Sequence, residues 1–219
     1  MTGPRIQLIH AVTVAQAPVH DAFRRLWPEA RVADLADYSL APDLAAAGRL
    51  TDAFTGRMAA LISYARACGA EAVLFTCSAF GAAIEAARAD VGIPVLKPDE
   101  AMIEKALTLG RRIGGLATFQ PTIASLEAEL TAAAGKRGLK PKLDLRHVPA
   151  ALAALNAGDA ERHHALVAEA AAAMTGVDAI VLAQFSMVGA RDAVAAKAGG
   201  RPVLTAPDEA VGRLRSLLG

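Results

Sequence analysis

The chain has 219 residues, enough for one large domain or two small ones, and 54% of them are hydrophobic. A formal net charge of +1 and an aromatic content of 4% argue against a surface for nucleic acid or an acidic membrane. No apolar run approaches the roughly 20 residues that span a bilayer, and the N-terminus lacks the pattern of a signal peptide. With two cysteines and no disulfide framework, we expect a cytoplasmic protein with reduced thiols.

Short apolar runs alternate with helical patterns along the first half of the chain. Strands are predicted at 6–11, 31–35, 72–75 and 94–96, and helices at 19–26, 51–68 and 81–90. Thr51 is the expected N-cap of the second helix, and Gly69 its expected C-terminal stop. This alternation is typical of an α/β fold, a parallel sheet covered by helices on both faces.

The second half of the chain repeats this order. Strands are predicted at 113–118 and 142–145, and Asp159 is expected to cap a helix that ends at Gly176. The segment GAEAVLFTCSAFGA aligns with GVDAIVLAQFSMVGA, and IPVLKPDEA aligns with RPVLTAPDEA. A repeat of half the chain is too long for a solenoid. The repeat instead predicts two pseudosymmetric lobes, residues 1–105 and 106–219. An alternative is that the C-terminal helix packs back on the first lobe.

The carboxyl ends of the strands carry polar residues in both halves. Ligands of parallel α/β sheets bind beyond these ends, so we expect both sets to face one cleft between the lobes. Cys77 follows the third strand, and Gln184 holds the equivalent position in the second half. A cysteine at the start of a helix is expected to have a lowered pKa. Taken alone, a cysteine in such a position is more often a small buried hydrophobe than a reactive thiol.

Other candidates lie at strand ends and at the starts of the helices that follow. Substrate contacts are predicted from Ser78, Thr118, Gln120, Thr122, Ser186 and, by its alignment with Gln120, Thr13. Thr118 and Thr122 could equally cap a helix. His10 ends the first strand and is predicted to face the cleft as a second acid/base group, with a buried structural role as the alternative. Metal-ligand spacing, a G-x-G-x-x-G and a P-loop are missing from the sequence, so neither a metal nor another cofactor is predicted.

Four segments resemble the aspartate/glutamate/hydantoin racemase superfamily: LFTCSAFG, IPVLKPDEA, IGGLATFQPT and IVLAQFSMVG. The organisation of essentially the whole chain is also similar. The resemblance implies two flavodoxin-like lobes, often in a homo-oligomer, and a cofactor-independent reaction in the cleft between them. The implied substrate is a small carboxylate or cyclic amide, whose α-carbon lies between two cysteines. One cysteine, as a thiolate, takes the proton from one face of the α-carbon, and the other cysteine, as a thiol, returns a proton to the opposite face. Together with the repeat, the resemblance favours a catalytic role for Cys77.

The sequence departs from this pattern at Gln184, which stands where the second cysteine is expected. Glutamine neither ionises nor donates a transferable proton at neutral pH, although its amide can hydrogen-bond a carboxylate. Three hypotheses stay open. A racemase or isomerase would combine Cys77 with another proton donor, such as His10 or water. A decarboxylase or lyase would need Cys77 as its only catalytic thiol. A metabolite-binding protein would hold its ligand in the cleft without converting it.

Overall fold

The computed structural model describes residues 3–219, which form two compact units. One unit consists of residues 3–100 together with 210–219, and the other of residues 101–209. The boundary expected from the repeat lies a few residues later, between 105 and 106. No helix within residues 3–219 is both long and apolar enough to cross a membrane.

The first unit is built on a parallel sheet of four strands in the order β2-β1-β3-β4. These are β1 (Arg5–His10), β2 (Arg31–Ala36), β3 (Ala72–Phe75) and β4 (Val95–Leu96), with helices α1 (Gln16–Leu26), α2 (Leu40–Ala47), α3 (Asp52–Ala67) and α4 (Gly81–Ala87). Ile9 of β1 pairs with Leu35 of β2 and with Phe75 of β3. Three strands therefore end side by side at the carboxyl edge of this sheet.

The second unit has a parallel sheet in the order β6-β5-β7-β8. Its strands are β5 (Arg112–Ala117), β6 (Lys142–His147), β7 (Ala179–Leu182) and β8 (Val203–Thr205). The helices of the second half are α5 (Glu100–Leu109), α6 (Gln120–Lys136), α7 (Pro149–Asn156), α8 (Ala160–Ala172), α9 (Arg191–Lys197) and α10 (Ala206–Leu218). Counted within each unit, the strand order is the same, and the predicted α/β fold with parallel sheets is confirmed.

The burial of the strands explains their composition. Every residue of β3 and β7 is buried, so their sequences AVLF and AIVL are continuously apolar rather than alternating. Gly115 on β5 leaves room for the side chain of one leucine from the neighbouring strand β6 and of another from α6. A Cβ on this glycine would lie 2.6 Å from Cδ2 of Leu145 and 2.8 Å from Cδ2 of Leu126. The packing of β6 and α6 side chains around this position therefore requires a residue without a Cβ.

The helix ends test the predicted caps. Thr51 occupies the N-cap position of α3 as predicted, with extended backbone dihedrals, although its side chain makes no capping hydrogen bond. Gly69 ends α3 as predicted, with φ +78, a left-handed conformation that glycine adopts without strain. Asp159 caps α8 as predicted, and its Oδ1 accepts from the N–H of Arg162 at 2.9 Å. This helix ends at Ala172, before the predicted Gly176.

Near its end, α10 is tied to the first unit. Nη1 of Arg215 donates to the carbonyl oxygen of Leu26 at the end of α1, at 2.8 Å. Both residues belong to the same compact unit, because the unit of residues 3–100 also includes residues 210–219.

Candidate functional site

Cys77 lies between the end of β3 and a 3-10 turn formed by Ser78–Phe80. The residue is partly exposed and packs against the core of the first unit, so it is not sealed inside that core. Burial raises the pKa of the Cys77 thiol, and the carboxylate of Asp99 raises it further, while a hydrogen bond from the backbone of Ala79 opposes both. The thiol therefore rests protonated at neutral pH.

The predicted lowering of the Cys77 pKa is wrong for a physical reason. The residue is followed by a 3-10 turn and then by α4, which has 7 residues. A single backbone hydrogen bond and a short helix do not offset the removal of water from a thiolate. The buried carboxylate of Asp99, which is 7% exposed, adds a repulsive charge that the sequence pattern did not reveal.

Gln184 lies directly before the 3-10 turn Phe185–Ala190, and its side-chain oxygen is fixed by Thr118. The backbone N–H of Thr118 donates to Oε1 of Gln184 at 2.6 Å, and the Thr118 hydroxyl donates to the same atom at 3.1 Å. Because a backbone N–H can only donate, the atom that faces it must be the amide oxygen. The partly exposed amide of Gln184 is therefore oriented with its NH₂ group available as a donor.

Thr118 is fully engaged in this arrangement. It is 0% exposed, and its carbonyl oxygen accepts from Nε2 of His147 at 3.2 Å. The predicted substrate contact of Thr118 is therefore wrong, because its polar atoms are directed to Gln184 and His147. It does not cap α6 either, since the N-cap position of that helix is Phe119.

His10 is 0% exposed, so the prediction that it faces an open cleft is wrong. Its Nδ1 lies 2.9 Å from the hydroxyl of Thr76, and its Nε2 lies 2.9 Å from Oδ1 of Asp34. Nε2 of His20 lies 2.9 Å from each oxygen of the same carboxylate. Burial, together with the charge of His20, lowers the pKa of His10 below its ordinary value, although the hydrogen bond and charge of Asp34 oppose this. The alternative structural role of His10 fits this environment.

Thr76, His10 and Asp34 have the residue types of a hydrolytic triad, yet the arrangement is unsuited to hydrolysis. The Thr76 residue is 5% exposed, and its hydroxyl also lies 3.3 Å from the carbonyl oxygen of Ile9. A nucleophile must reach its substrate, and this hydroxyl is covered. The Thr76 hydroxyl is therefore not placed to act as a nucleophile.

The remaining predicted residues lie at the carboxyl edges of their own sheets. Thr13 in the first unit and Gln120 in the second are exposed; Ser78, Thr122 and Ser186 are partly exposed. The backbone N–H of Thr122 is used within the first turn of α6, where it donates to the carbonyl oxygen of Phe119 at 3.1 Å. The other polar groups of these five residues remain candidates for substrate contacts.

Sequence reasoning missed three residues that surround Cys77 and His10: Asp34, Thr76 and Asp99. A signal existed for the first, because Asp34 is the one acidic residue in the strand RVADLA. Thr76 stood directly before the candidate thiol, but its hydroxyl partner could not be identified without the fold. Within residues 3–219, no group of three or more His, Cys, Asp or Glu residues could hold a metal ion.

An open groove of about 550 Å³ lies elsewhere on the first unit. Its charged lining consists of Glu85, Arg88, Glu100 and Arg213. The guanidinium of Arg88 is bound to both carboxylates, at 2.6 Å each. The groove contains none of the predicted site residues, and its paired charges leave little attraction for a charged ligand.

Comparison with known proteins identifies the family. A sequence model of Asp/Glu/hydantoin racemases matches residues 14–214. The chain belongs to this family. Membership of the Asp/Glu/hydantoin racemase family supports an enzyme of the racemase or isomerase type. No curated protein sequence matches the chain significantly.

Solved racemase structures share the fold. An aspartate racemase from Picrophilus torridus has a TM-score of 0.72 at 14% identity, over 99% of this chain and 95% of that one. A glutamate racemase from Bacillus anthracis has a TM-score of 0.70 at 14% identity, over 100% and 82% of the two chains. An allantoin racemase from Klebsiella pneumoniae has a TM-score of 0.66 at 20% identity, over 98% of this chain and 87% of that one. Similarity at this level of identity shows the fold alone.

Proposed function

We propose that this protein is a cofactor-independent racemase or isomerase that uses Cys77 at the α-carbon of a small carboxylate or cyclic amide. The observation that carries the proposal is the position of Cys77, a partly exposed residue, at the carboxyl end of β3, the edge where α/β sheets bind ligands. The family supports the reaction type. The substrates named for the related structures are amino acids and a cyclic ureide, which agrees with this substrate class.

In this proposal Gln184 supplies a hydrogen-bond donor and not a second thiol. Its Oε1 is occupied by Thr118, so its Nε2 protons are left for an acceptor on the substrate. A donor aimed at the carboxylate or carbonyl stabilises the negative charge that develops when the α-carbon loses its proton. The proposal requires Cys77 and Gln184 to reach the same substrate.

The raised pKa of Cys77 indicates which half of the proton transfer this thiol performs most readily. A protonated thiol is a proton donor, and it becomes a base only after it has lost its own proton. For racemisation, Cys77 would return a proton to one face of the enolate-like intermediate. Water would have to serve the opposite face, because Gln184 does not ionise.

The same two observations favour one-thiol decarboxylation as a second candidate. Loss of CO₂ from a malonate-type substrate leaves the bonding electron pair on the α-carbon, and the Cys77 thiol donates its proton to that carbon. Water then returns a proton to the thiolate. The step needs no second thiol and no redox partner, and it begins from the protonation state in which Cys77 rests.

Turnover in D₂O distinguishes these candidates. Amino acids, hydantoins and arylmalonates are each incubated with the protein and followed by NMR and chiral chromatography. A racemase or isomerase gives deuterium at the α-carbon together with loss of optical purity. A decarboxylase gives one enantiomer of a monodeuterated acid and an equivalent of CO₂.

Cysteine variants test the assigned thiol. Cys77→Ser is expected to lower the rate by about 10²–10⁴-fold, the usual contribution of a general acid or base. Cys68→Ser is the matched control and keeps the wild-type rate. Gln184→Cys, which restores a second thiol, is expected to increase racemisation. Turnover that survives Cys77→Ser contradicts the proposal, and so does the absence of turnover and of saturable binding across the panel.

A further inference from the structure

A chain of hydrogen-bonded side chains crosses three neighbouring strands and ends beside Cys77. It runs from Asp34 on β2, through His10 at the end of β1, to Thr76 directly after β3. The backbone N–H of Thr76 also donates to the carbonyl oxygen of Ile9 at 3.0 Å. Thr76 is thus held through both its main chain and its hydroxyl, one residue before the thiol.

The partners of His10 define its protons. The Asp34 carboxylate can only accept, so Nε2 of His10 carries a hydrogen. A neutral imidazole then has an unprotonated Nδ1, which accepts the hydrogen of the Thr76 hydroxyl at 2.9 Å. If His10 gains a second proton, Nδ1 becomes a donor. The Thr76 hydroxyl must then turn towards the carbonyl oxygen of Ile9, 3.3 Å away.

We propose that neutral His10 is a positioning residue for Cys77: held by Asp34, it fixes the Thr76 hydroxyl and with it the strand end that carries the thiol. His10 touches no substrate in this role, because it is 0% exposed. The inference rests on the proposed function only in taking Cys77 as the reacting thiol.

The arrangement predicts a pH dependence that originates away from the thiol. Among residues 3–219, the titratable groups that bear on His10 are Asp34 from β2 and His20 from α1, while Thr76 contributes a hydroxyl. Burial lowers the pKa of His10, so the neutral, positioning form predominates above this lowered pKa and is lost as the pH falls through it. The carboxylate persists there, because hydrogen bonds from His10 and His20 outweigh burial and lower the pKa of Asp34.

Thiol reactivity measures this effect without any turnover. The full chain is treated with 2,2′-dithiodipyridine, which oxidises thiols to mixed disulfides down to acid pH, from about pH 4.5 to 8. Mass spectrometry of peptides gives separate rates for Cys77 and for Cys68, the internal reference. In the wild type we expect the Cys77/Cys68 ratio to show a one-proton inflection below the ordinary histidine pKa of about 6.5.

Substitutions at both ends of the Thr76–His10 hydrogen bond test the assignment. His10→Asn keeps an acceptor but does not titrate, and it is expected to remove the inflection. Thr76→Val preserves shape but has no hydroxyl, so it is expected to change the ratio by about fivefold, the factor given by the net free energy of one hydrogen bond. Thr76→Ser restores the hydroxyl and is expected to recover the wild-type ratio and inflection. Thr108→Val, at an exposed threonine of α5, is the control that changes neither.

The inference is overturned if Thr76→Val and Thr76→Ser give the same ratio, or if the wild type shows no inflection. It is also overturned if ¹⁵N NMR finds neutral His10 protonated on Nδ1. If His10→Asn does not fold, as judged by circular dichroism, the Thr76 pair decides, since both variants are close to isosteric. A thiol that is positioned in this way but catalyses nothing across the substrate panel would refute the proposed function while leaving this inference intact.

Discussion

Replacing Gln184 by glutamate separates the structural role of its side chain from its proposed role in binding. The two side chains have nearly the same shape, and a carboxylate oxygen can accept from both groups of Thr118 that now bond to Oε1, at 2.6 and 3.1 Å. The other end changes character, because an oxygen that only accepts takes the place of the NH₂ donor. Gln184→Leu, by contrast, removes the acceptor and the donor together.

The expected magnitudes differ between the two variants. Gln184→Glu should change the free energy of unfolding by less than about 1 kcal/mol, because no donor loses its partner. Gln184→Leu leaves the N–H of buried Thr118 unpaired and should cost about 1–3 kcal/mol. For a carboxylate substrate, Gln184→Glu loses a hydrogen bond to a charged group, about 1.5–3 kcal/mol, and adds at least about 1 kcal/mol of repulsion at 4 Å. Together these predict a loss of about 100-fold in kcat/KM.

The assays are urea denaturation at pH 8 and deuterium exchange on a carboxylate from the panel. We expect the glutamate variant to keep its stability and lose activity, and the leucine variant to lose stability with a smaller effect, about tenfold, on kcat/KM. A neutral hydantoin should be less sensitive to the glutamate than a carboxylate. If Gln184→Glu retains kcat/KM within a factor of about three on the carboxylate, Gln184 does not donate to the substrate and the proposed role is wrong.

Three further predictions concern the reactivity of the Cys77 thiol, the dependence of stability on pH in acid, and the packing of β5. Asp99→Asn removes a charge that raises the pKa of Cys77, so alkylation of this thiol by iodoacetamide at pH 8 should become faster; an unchanged rate would exclude electrostatic coupling. Hydrogen bonds that Arg112 donates to the Asp178 carboxylate lower the pKa of Asp178 to about 2. The stabilisation from this carboxylate is therefore complete above its pKa in the unfolded chain, about 4, and is lost as the pH falls towards 2. Thermal unfolding of Asp178→Asn should therefore depend less on pH in this range, and an unchanged slope would contradict the linkage. Gly115→Ala should lower the free energy of unfolding by about 1–3 kcal/mol through crowding, whereas Gly135→Ala, in open space on α6, should raise it by about 0.5–1 kcal/mol; equal effects would refute the packing argument.

The fold could be predicted well because its signals are local. Apolar runs of strand length and the repeated segments around Cys77 and Gln184 depend on spacing along the chain. Gly69 and Asp159 were identified correctly as helix boundaries, since the chemistry of these boundaries involves neighbouring residues. Thr51 was also placed correctly at the N-cap of α3, but its hydroxyl makes no capping bond, because the rotamer of this side chain is not specified by the local sequence.

The candidate site was predicted less completely, because protonation depends on groups that are distant in sequence. The pattern around Cys77 indicated a helix and a lowered pKa, but burial and Asp99 reverse the direction. Thr118 was expected to contact substrate, yet its polar atoms are taken by Gln184, 66 positions further along the chain.

The amino-acid sequence by itself determined the alternation of strands and helices, the duplication and the place of one cysteine at a strand end. These properties follow from hydrophobic periodicity and from residue order, which need no knowledge of long-range contacts. Tertiary structure alone decided that His10 is sealed between Asp34 and Thr76, that the Gln184 amide is turned by Thr118, and that the thiol rests protonated. Burial and hydrogen bonding are set by whichever residues the fold brings together, and these determine what each side chain can do.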